Sequence, residues 1–199
     1  MTTAKDLFMI AIDSERPVGQ GDLSLALAGA ELIDLIRAGT VGLDGDHIVP
    51  GGPPPLDDGF LGEAAAGLTR QLPYEQVEDW LWRRGRDLSA TYQAALEESG
   101  ELTPQRSSRS PFGPQSLKPV DTPARRRAAD RWKDREPVLT SLAAAVGIGD
   151  ERSDDGTGLD DEAVTRVVAG VHDAVRELEA VRQRRTIENA AFANIWRGP

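Results

Sequence analysis

The hydrophobic positions of this chain fall mostly at helical spacing, and one segment is apolar on nearly every side. "DLSLALAGAELIDLIRA", from Asp22 to Ala38, places Leu23, Leu25, Leu27, Leu32, Ile33, Leu35 and Ile36 around most of a helical circumference. Coverage that wide predicts a helix buried on more than one side. Asp22 is positioned to cap its first turn, and Gly29 lets another element approach the backbone. Gly39 suits the left-handed residue that ends a helix. Ahead of this segment, Leu7, Phe8, Ile10 and Ala11 predict a shorter helix with Thr2 or Thr3 as its N-cap.

Beyond the central helix the pattern shortens. "TVGLDGDHIVP" reads as a hairpin, two β-favouring runs joined by turn residues. A proline-rich connection and three helices follow, punctuated by Gly67, Pro73 and Gly85. Trp80 and Trp82 lie two apart, so a helix sends one to the core and the other toward the surface. Residues 101–121 hold four prolines and little apolar content, which predicts a hairpin or loop that projects from the body. Trypsin is expected to cut first near Arg106 or Arg109 there.

"TPARRRAADRWKDRE" restarts as a helix with Thr122 as cap and Pro123 at the first position, continuing through "LTSLAAAVGIG". After the acidic "DERSDDGTGLDDE", Val164, Val167, Val168, Val171, Val175, Leu178 and Val181 form one stripe of a long closing helix. No internal repeat or heptad array interrupts this order. The fold class is mainly α, a single domain over residues 1–199.

Composition then removes chemistry. The chain has no cysteine and only two histidines, His47 and His172, so disulfides, thiolate metal sites and histidine-rich metal centres drop out, and no metal or cofactor is expected. No run approaches the ~18 apolar residues of a spanning helix, and the N-terminal run, broken by Asp13, is too short for a secretory signal. A cytoplasmic protein, peripheral on the cytosolic membrane face if it meets a membrane, is the expectation. Phosphate-cradling glycine loops, a G-x-S-x-G elbow and an H-E-x-x-H helix are missing. Adjacent carboxylates such as Asp57–Asp58 and Asp154–Asp155 read as caps and solvated turns. The expectation is that the protein is not an enzyme.

The net charge of −10 is unevenly spread. Residues 1–80 hold 14 acids and 4 bases, residues 81–135 hold 7 acids and 12 bases, and residues 136–199 hold 12 acids and 7 bases. A helix followed by a hairpin resembles a winged DNA reader, but Glu31 and Asp34 oppose the single Arg37, and Asp44 and Asp46 follow. Phosphates would be repelled, so nucleic acid is not an expected partner. Anion binding fits better around Arg83, Arg84 and Arg86, whose planar forks suit phosphate. With Arg125, Arg126 and Arg127 they are expected to form a basic face that draws anionic headgroups.

"DLFMIAIDSERPVG", "LALAGAELIDLIRAGTVGLDGD", "PPPLDDGFLGEAAAGL", "VEDWLWRR" and "LSATYQAALEESGELT" together resemble the Golgi phosphoprotein 3-like family over nearly the whole chain. The resemblance implies a largely helical domain with one buried central helix and short β-hairpins. Together with the arginine- and alanine-rich usage, it implies a bacterial, actinobacterial-type member. It also implies a peripheral membrane or adaptor protein that binds phosphatidylinositol 4-phosphate or a similar anionic headgroup on a basic face. Cytosolic tails of membrane proteins are implied partners, and self-association is implied for the hairpin at residues 101–121.

By the same resemblance, the family's tryptophan and central-helix arginine fall at Gly19 and Ala28, and its later basic pair falls near Arg86 and Ser89. Arg86, with Arg83 and Arg84 beside it, is therefore the expected headgroup site. A protein-interaction module without lipid binding is the alternative, and an enzyme of unknown type comes third.

Overall fold

In the computed structural model, which describes residues 2–53, 59–105, 116–149, 159 and 161–195, the chain starts with a doubly capped helix. Thr2 caps α1 (Thr3–Asp13) by accepting from the Lys5 amide. Asp34, brought in by the next helix, accepts from the Thr3 amide at 2.6 Å and the Thr3 hydroxyl at 2.7 Å. One carboxylate oxygen thus satisfies an amide that a helix start leaves open, and the other holds the Thr3 hydroxyl. α1 is buried on most sides, with Ala4, Leu7, Phe8, Met9, Ile10 and Ala11 all in the core.

The apolar segment forms α2 (Gln20–Arg37), and residues 23–33 and 35 are buried whichever way they point. Leu27, Leu32, Ile33 and Leu35 have no solvent exposure, as their circumferential spacing predicts. The start differs from expectation. Gly19 is the N-cap, without a side-chain cap, and Asp22 sits inside the first turn paired with Arg182 at 2.8 Å. The extended backbone of Gly19 lets the helix begin earlier than Asp22. Gly39, with φ 70°, ends it and leads into β1 (Val41–Asp44) and β2 (His47–Pro50), an antiparallel pair turning at Gly45.

Three helices follow, α3 (Gly59–Ala66), α4 (Val77–Arg84) and α5 (Leu88–Glu98). Trp80 is fully buried and donates its indole N–H to the Ala28 carbonyl at 3.1 Å, whereas Trp82 is half-buried. The antiparallel pair β3 (Leu102–Gln105) and β4 (Ser116–Pro119) forms the stem of the expected hairpin. Its connection, with Arg106 and Arg109, lies outside the described residues.

The expected continuous helix after Thr122 is two helices, α6 (Pro123–Lys133) and α7 (Pro137–Ala145). Pro137 has no amide hydrogen and disfavours helical backbone in the residue before it, and Arg135 turns the chain at φ 53°. Glu136 then caps α7 by accepting from the Leu139 amide. The closing helix α8 (Glu162–Ile195) buries Val164, Val167, Val168 and Val171 and half-buries Val175, Leu178 and Val181.

The described residues form eight helices and two antiparallel strand pairs, with α1, α3, α4, α5, α7 and α8 all packed on α2. Gly29 marks the closest approach. A Cβ there would stand 2.3 Å from a methyl of Val171, so α8 crosses α2 where the side chain is missing.

Candidate functional site

The arginines singled out by sequence begin at the last turn of α4, and the fold treats them in three different ways. Arg83 is forked on Glu75, at 2.6 and 2.7 Å, and also donates to the Gly67 carbonyl at 3.1 Å. Its guanidinium carbon lies 5.2 Å from the Trp80 ring centroid, within cation–π range. Nearly half of this side chain remains in contact with water.

Arg84 turns inward. Its Nε donates to Glu31 at 2.7 Å and its Nη2 to the other carboxylate oxygen at 3.0 Å. Glu31 has no solvent exposure and also accepts from the Tyr92 hydroxyl at 3.0 Å. Tyr92 stacks on Phe60 with centroids 4.0 Å apart, and Arg84 reaches the Phe60 carbonyl at 3.4 Å. One buried carboxylate on α2 therefore ties together α3, α4 and α5. Glu31 is not the exposed repulsive acid that the sequence suggests, and neither is Asp34, which caps α1.

Arg86 follows Gly85 in the short connection to α5. Its side chain is exposed and, among the described residues, has no carboxylate within ion-pair distance. Gly85 holds the connection tight against α2, since a Cβ there would meet the Leu81 carbonyl oxygen at 2.5 Å and the Leu25 Cα at 3.4 Å. Ser89 anchors the start of α5: its amide donates to the Ser24 hydroxyl at 2.9 Å, and its own hydroxyl to the Gln20 carbonyl at 3.1 Å.

The positions matched by resemblance separate in the same manner. Ala28 is fully buried under Trp80 and Ser89 is buried on α2. Gly19 is exposed at the N-cap of α2 and Arg86 is exposed at the corner.

The second arginine run does not simply extend this corner. α6 packs on α1 and α7, whereas α4 packs on α2 and α8. Arg125 is forked on Asp13 at 3.0 and 3.1 Å, and Arg126 on Asp121 at 2.9 and 2.7 Å. Arg83, Arg84, Arg125 and Arg126 thus each meet a carboxylate, where a basic face of unpaired cations is expected. The charge of the chain accounts for this: acids outnumber bases, so an arginine finds a carboxylate partner readily.

Two carboxyls carry a clear burial signature. Asp34 is pushed above its usual range by burial, against the opposing effect of the Thr3 hydrogen bonds. Burial also raises Asp6, against the opposing pull of Arg131, and its Oδ1 is buried without a partner among the described residues. Sequence reasoning placed neither carboxyl in the interior. For Asp34 and Glu31 the available signal was an acid in the middle of a helix apolar on every side.

Among the described residues no cluster of His, Asp and Glu could hold a metal ion, and no helix is long and apolar enough to cross a membrane. Residues 4–188 match the family model described as Golgi phosphoprotein 3 (GPP34). No curated protein matches the chain.

Proposed function

The chain belongs to the Golgi phosphoprotein 3 (GPP34) family, and from that premise we propose that it is a peripheral membrane or adaptor protein, not an enzyme, that binds anionic phospholipid headgroups at the α4–α5 corner. The observation that carries this reading is Arg86, an exposed guanidinium with no carboxylate to displace among the described residues. Arg83 stands beside it, half-exposed, and can share a phosphate only by loosening Glu75. Arg84 is removed from the headgroup set, because freeing it would strand Glu31 as an unpaired buried charge at a cost of about 3–5 kcal/mol.

An arginine near an anionic surface contributes about 1 kcal/mol. One free and one shared arginine therefore give weak, salt-sensitive binding. Headgroup selectivity is also weak, since Ala28 and Ser89 face the interior and Gly19 carries no side chain. Phosphatidylinositol 4-phosphate is then one acceptable anion among several. Cytosolic tails of membrane proteins are the partners that an adaptor of this kind holds, with self-association through the 101–121 hairpin.

Co-sedimentation with vesicles tests this. Wild type is expected to bind phosphatidylglycerol vesicles and not phosphatidylcholine vesicles, and Arg86→Ala to bind several-fold more weakly. Equal binding by Arg86→Ala would clear the corner of the role. No binding by wild type would favour the alternative, a protein-interaction module without lipid binding, which the burial of Ala28 and Ser89 supports.

A further inference from the structure

Between α1 and α6 lies a cleft of about 250 Å³ that the corner site does not use. Met9, Ile10, Ala128, Trp132 and Ile148 line it, and Ala129 stands at its open edge. Met9, Ile10, Ala128 and Ile148 are buried, so the cleft is a narrow apolar recess open at Ala129 and not an exposed patch. A concave apolar recess is the form that small-ligand sites take. The segment that follows in the chain, residues 150–158, contains no apolar side chain with which to fill it.

Charge indicates what the occupant carries. α6 holds five bases and one acid in a chain of net charge −10. Arg125 lines the cleft, forked on Asp13, and Ser14 lies on the same rim. Arg126, Ala129 and Lys133 follow one another at i, i+3 and i+7, so they run along the same edge of the helix. Arg126 is engaged only by the exposed Asp121, and Lys133 meets no carboxylate among the described residues. An apolar slot edged by exposed cations suits an amphiphile with an apolar tail and an anionic head.

We propose that this cleft receives one acyl chain of an anionic phospholipid, with the head held by Arg125, Arg126 and Lys133. The inference rests on the membrane reading for the source of the chain, but it uses a different helix and different arginines. A chain drawn into the slot would fasten α6 to the bilayer while Arg86 samples headgroups elsewhere.

Trp132 forms a wall of the cleft, so its fluorescence reports occupancy, with Trp132→Phe giving the background of the other tryptophans. The probe is monomeric dodecyl phosphate, with butyl phosphate as a control sharing the head but lacking the tail. Wild type is expected to show a saturable change with dodecyl phosphate. Butyl phosphate, and wild type replaced by Ala129→Phe, should bind about tenfold more weakly or worse, since each removes methylenes from the slot.

Ala129 is exposed, so the Phe variant keeps the fold, which a thermal melt confirms; Ala129→Glu gives a second, independent block at the same edge. Unchanged dodecyl phosphate binding by either variant would overturn the proposal, as would equal response to the two probes or no response in wild type. A concentration-dependent dimer that Ala129→Phe abolishes would assign the cleft to a second copy of the chain and overturn it too. Trp132 fluorescence reads only the cleft, and the vesicle binding of Arg86→Ala reads only the corner, so the two readings fail or stand separately.

Discussion

Arg84 and Arg125 make the same contact in opposite surroundings. Each forks its Nε and Nη2 on a carboxylate, at 2.7 and 3.0 Å for Arg84 and at 3.0 and 3.1 Å for Arg125. The Arg84 side chain is 17% exposed against a Glu31 at 0%, whereas Arg125 and Asp13 are 35% and 43% exposed. Water competes for the second pair and not for the first. Burial therefore decides what an arginine is for. The interior pair holds α4 to the central helix and is closed to ligands. The surface pair is exchangeable, and a phosphate can take the place of Asp13 at little cost.

The sharpest way to break that contrast is Glu31→Ala. It leaves the Arg84 guanidinium facing the core without its partner and removes the acceptor of the Tyr92 hydroxyl. A loss of about 3–5 kcal/mol in urea unfolding is expected. A paired Glu31→Leu, Arg84→Met protein should recover most of it, because both charges are then gone. A loss below about 1 kcal/mol for Glu31→Ala would mean that the interior pair behaves as a surface pair.

A smaller effect tests what burial does to a carboxylate that is not forked by a guanidinium, Arg37 acting on it only at a distance. Asp34 is bonded to neutral Thr3 donors, and burial raises its pKa above the unfolded value of about 3.9. A raised folded pKa means that the folded state binds the proton more tightly than the unfolded state. The resulting stability is fully present below the unfolded pKa and is lost as pH rises through the folded one.

Lowering the pH from 7 toward 4 should therefore stabilise wild type relative to Asp34→Asn, by less than the Glu31→Ala effect. Asp6, also raised, is present in both proteins and cancels in the difference. Denaturant midpoints at pH 7 and pH 4.5 give the comparison. A difference that is constant, or that moves against wild type in acid, would show that the Thr3 bonds outweigh burial.

The two pairs also differ in how far the sequence discloses them. That α2 is buried follows from Leu23 to Ile36 alone, since apolar residues on every side leave no surface to expose. Thr2, Gly39, Thr122 and Pro123 act within a turn of their own position, and their roles are legible for that reason. Pro137 carried the signal for the break between α6 and α7, but the apolar run after it favoured a continuous helix.

Glu31 and Arg84 stand 53 positions apart, and no local rule joins them. Proximity in sequence grouped Arg83, Arg84 and Arg86 into one basic face. Its actual packing against α2 and α8 sends Arg84 inside, spends Arg83 on Glu75 and leaves Arg86 in water. Which acid each arginine meets is a tertiary property. The candidate site was thus visible as a composition and not as an arrangement.

The smallest expected effect is the one that keeps the α1–α6 edge open for a ligand. Arg125→Ala removes a forked pair from a rim where both side chains are already hydrated, and Asp13 regains its water when released. The loss should be about 0.2–1 kcal/mol. It should shrink further between 0.1 M and 1 M salt, as the screening length falls from about 10 Å to about 3 Å. Urea midpoints of wild type and Arg125→Ala at the two salt concentrations supply the measurement, with Glu31→Ala as the internal reference. A loss comparable to that of Glu31→Ala, insensitive to salt, would make the Asp13–Arg125 pair part of the architecture. An anion would then have to break a structural tie to reach Arg125, and the rim of the cleft would be as closed to it as Arg84 is.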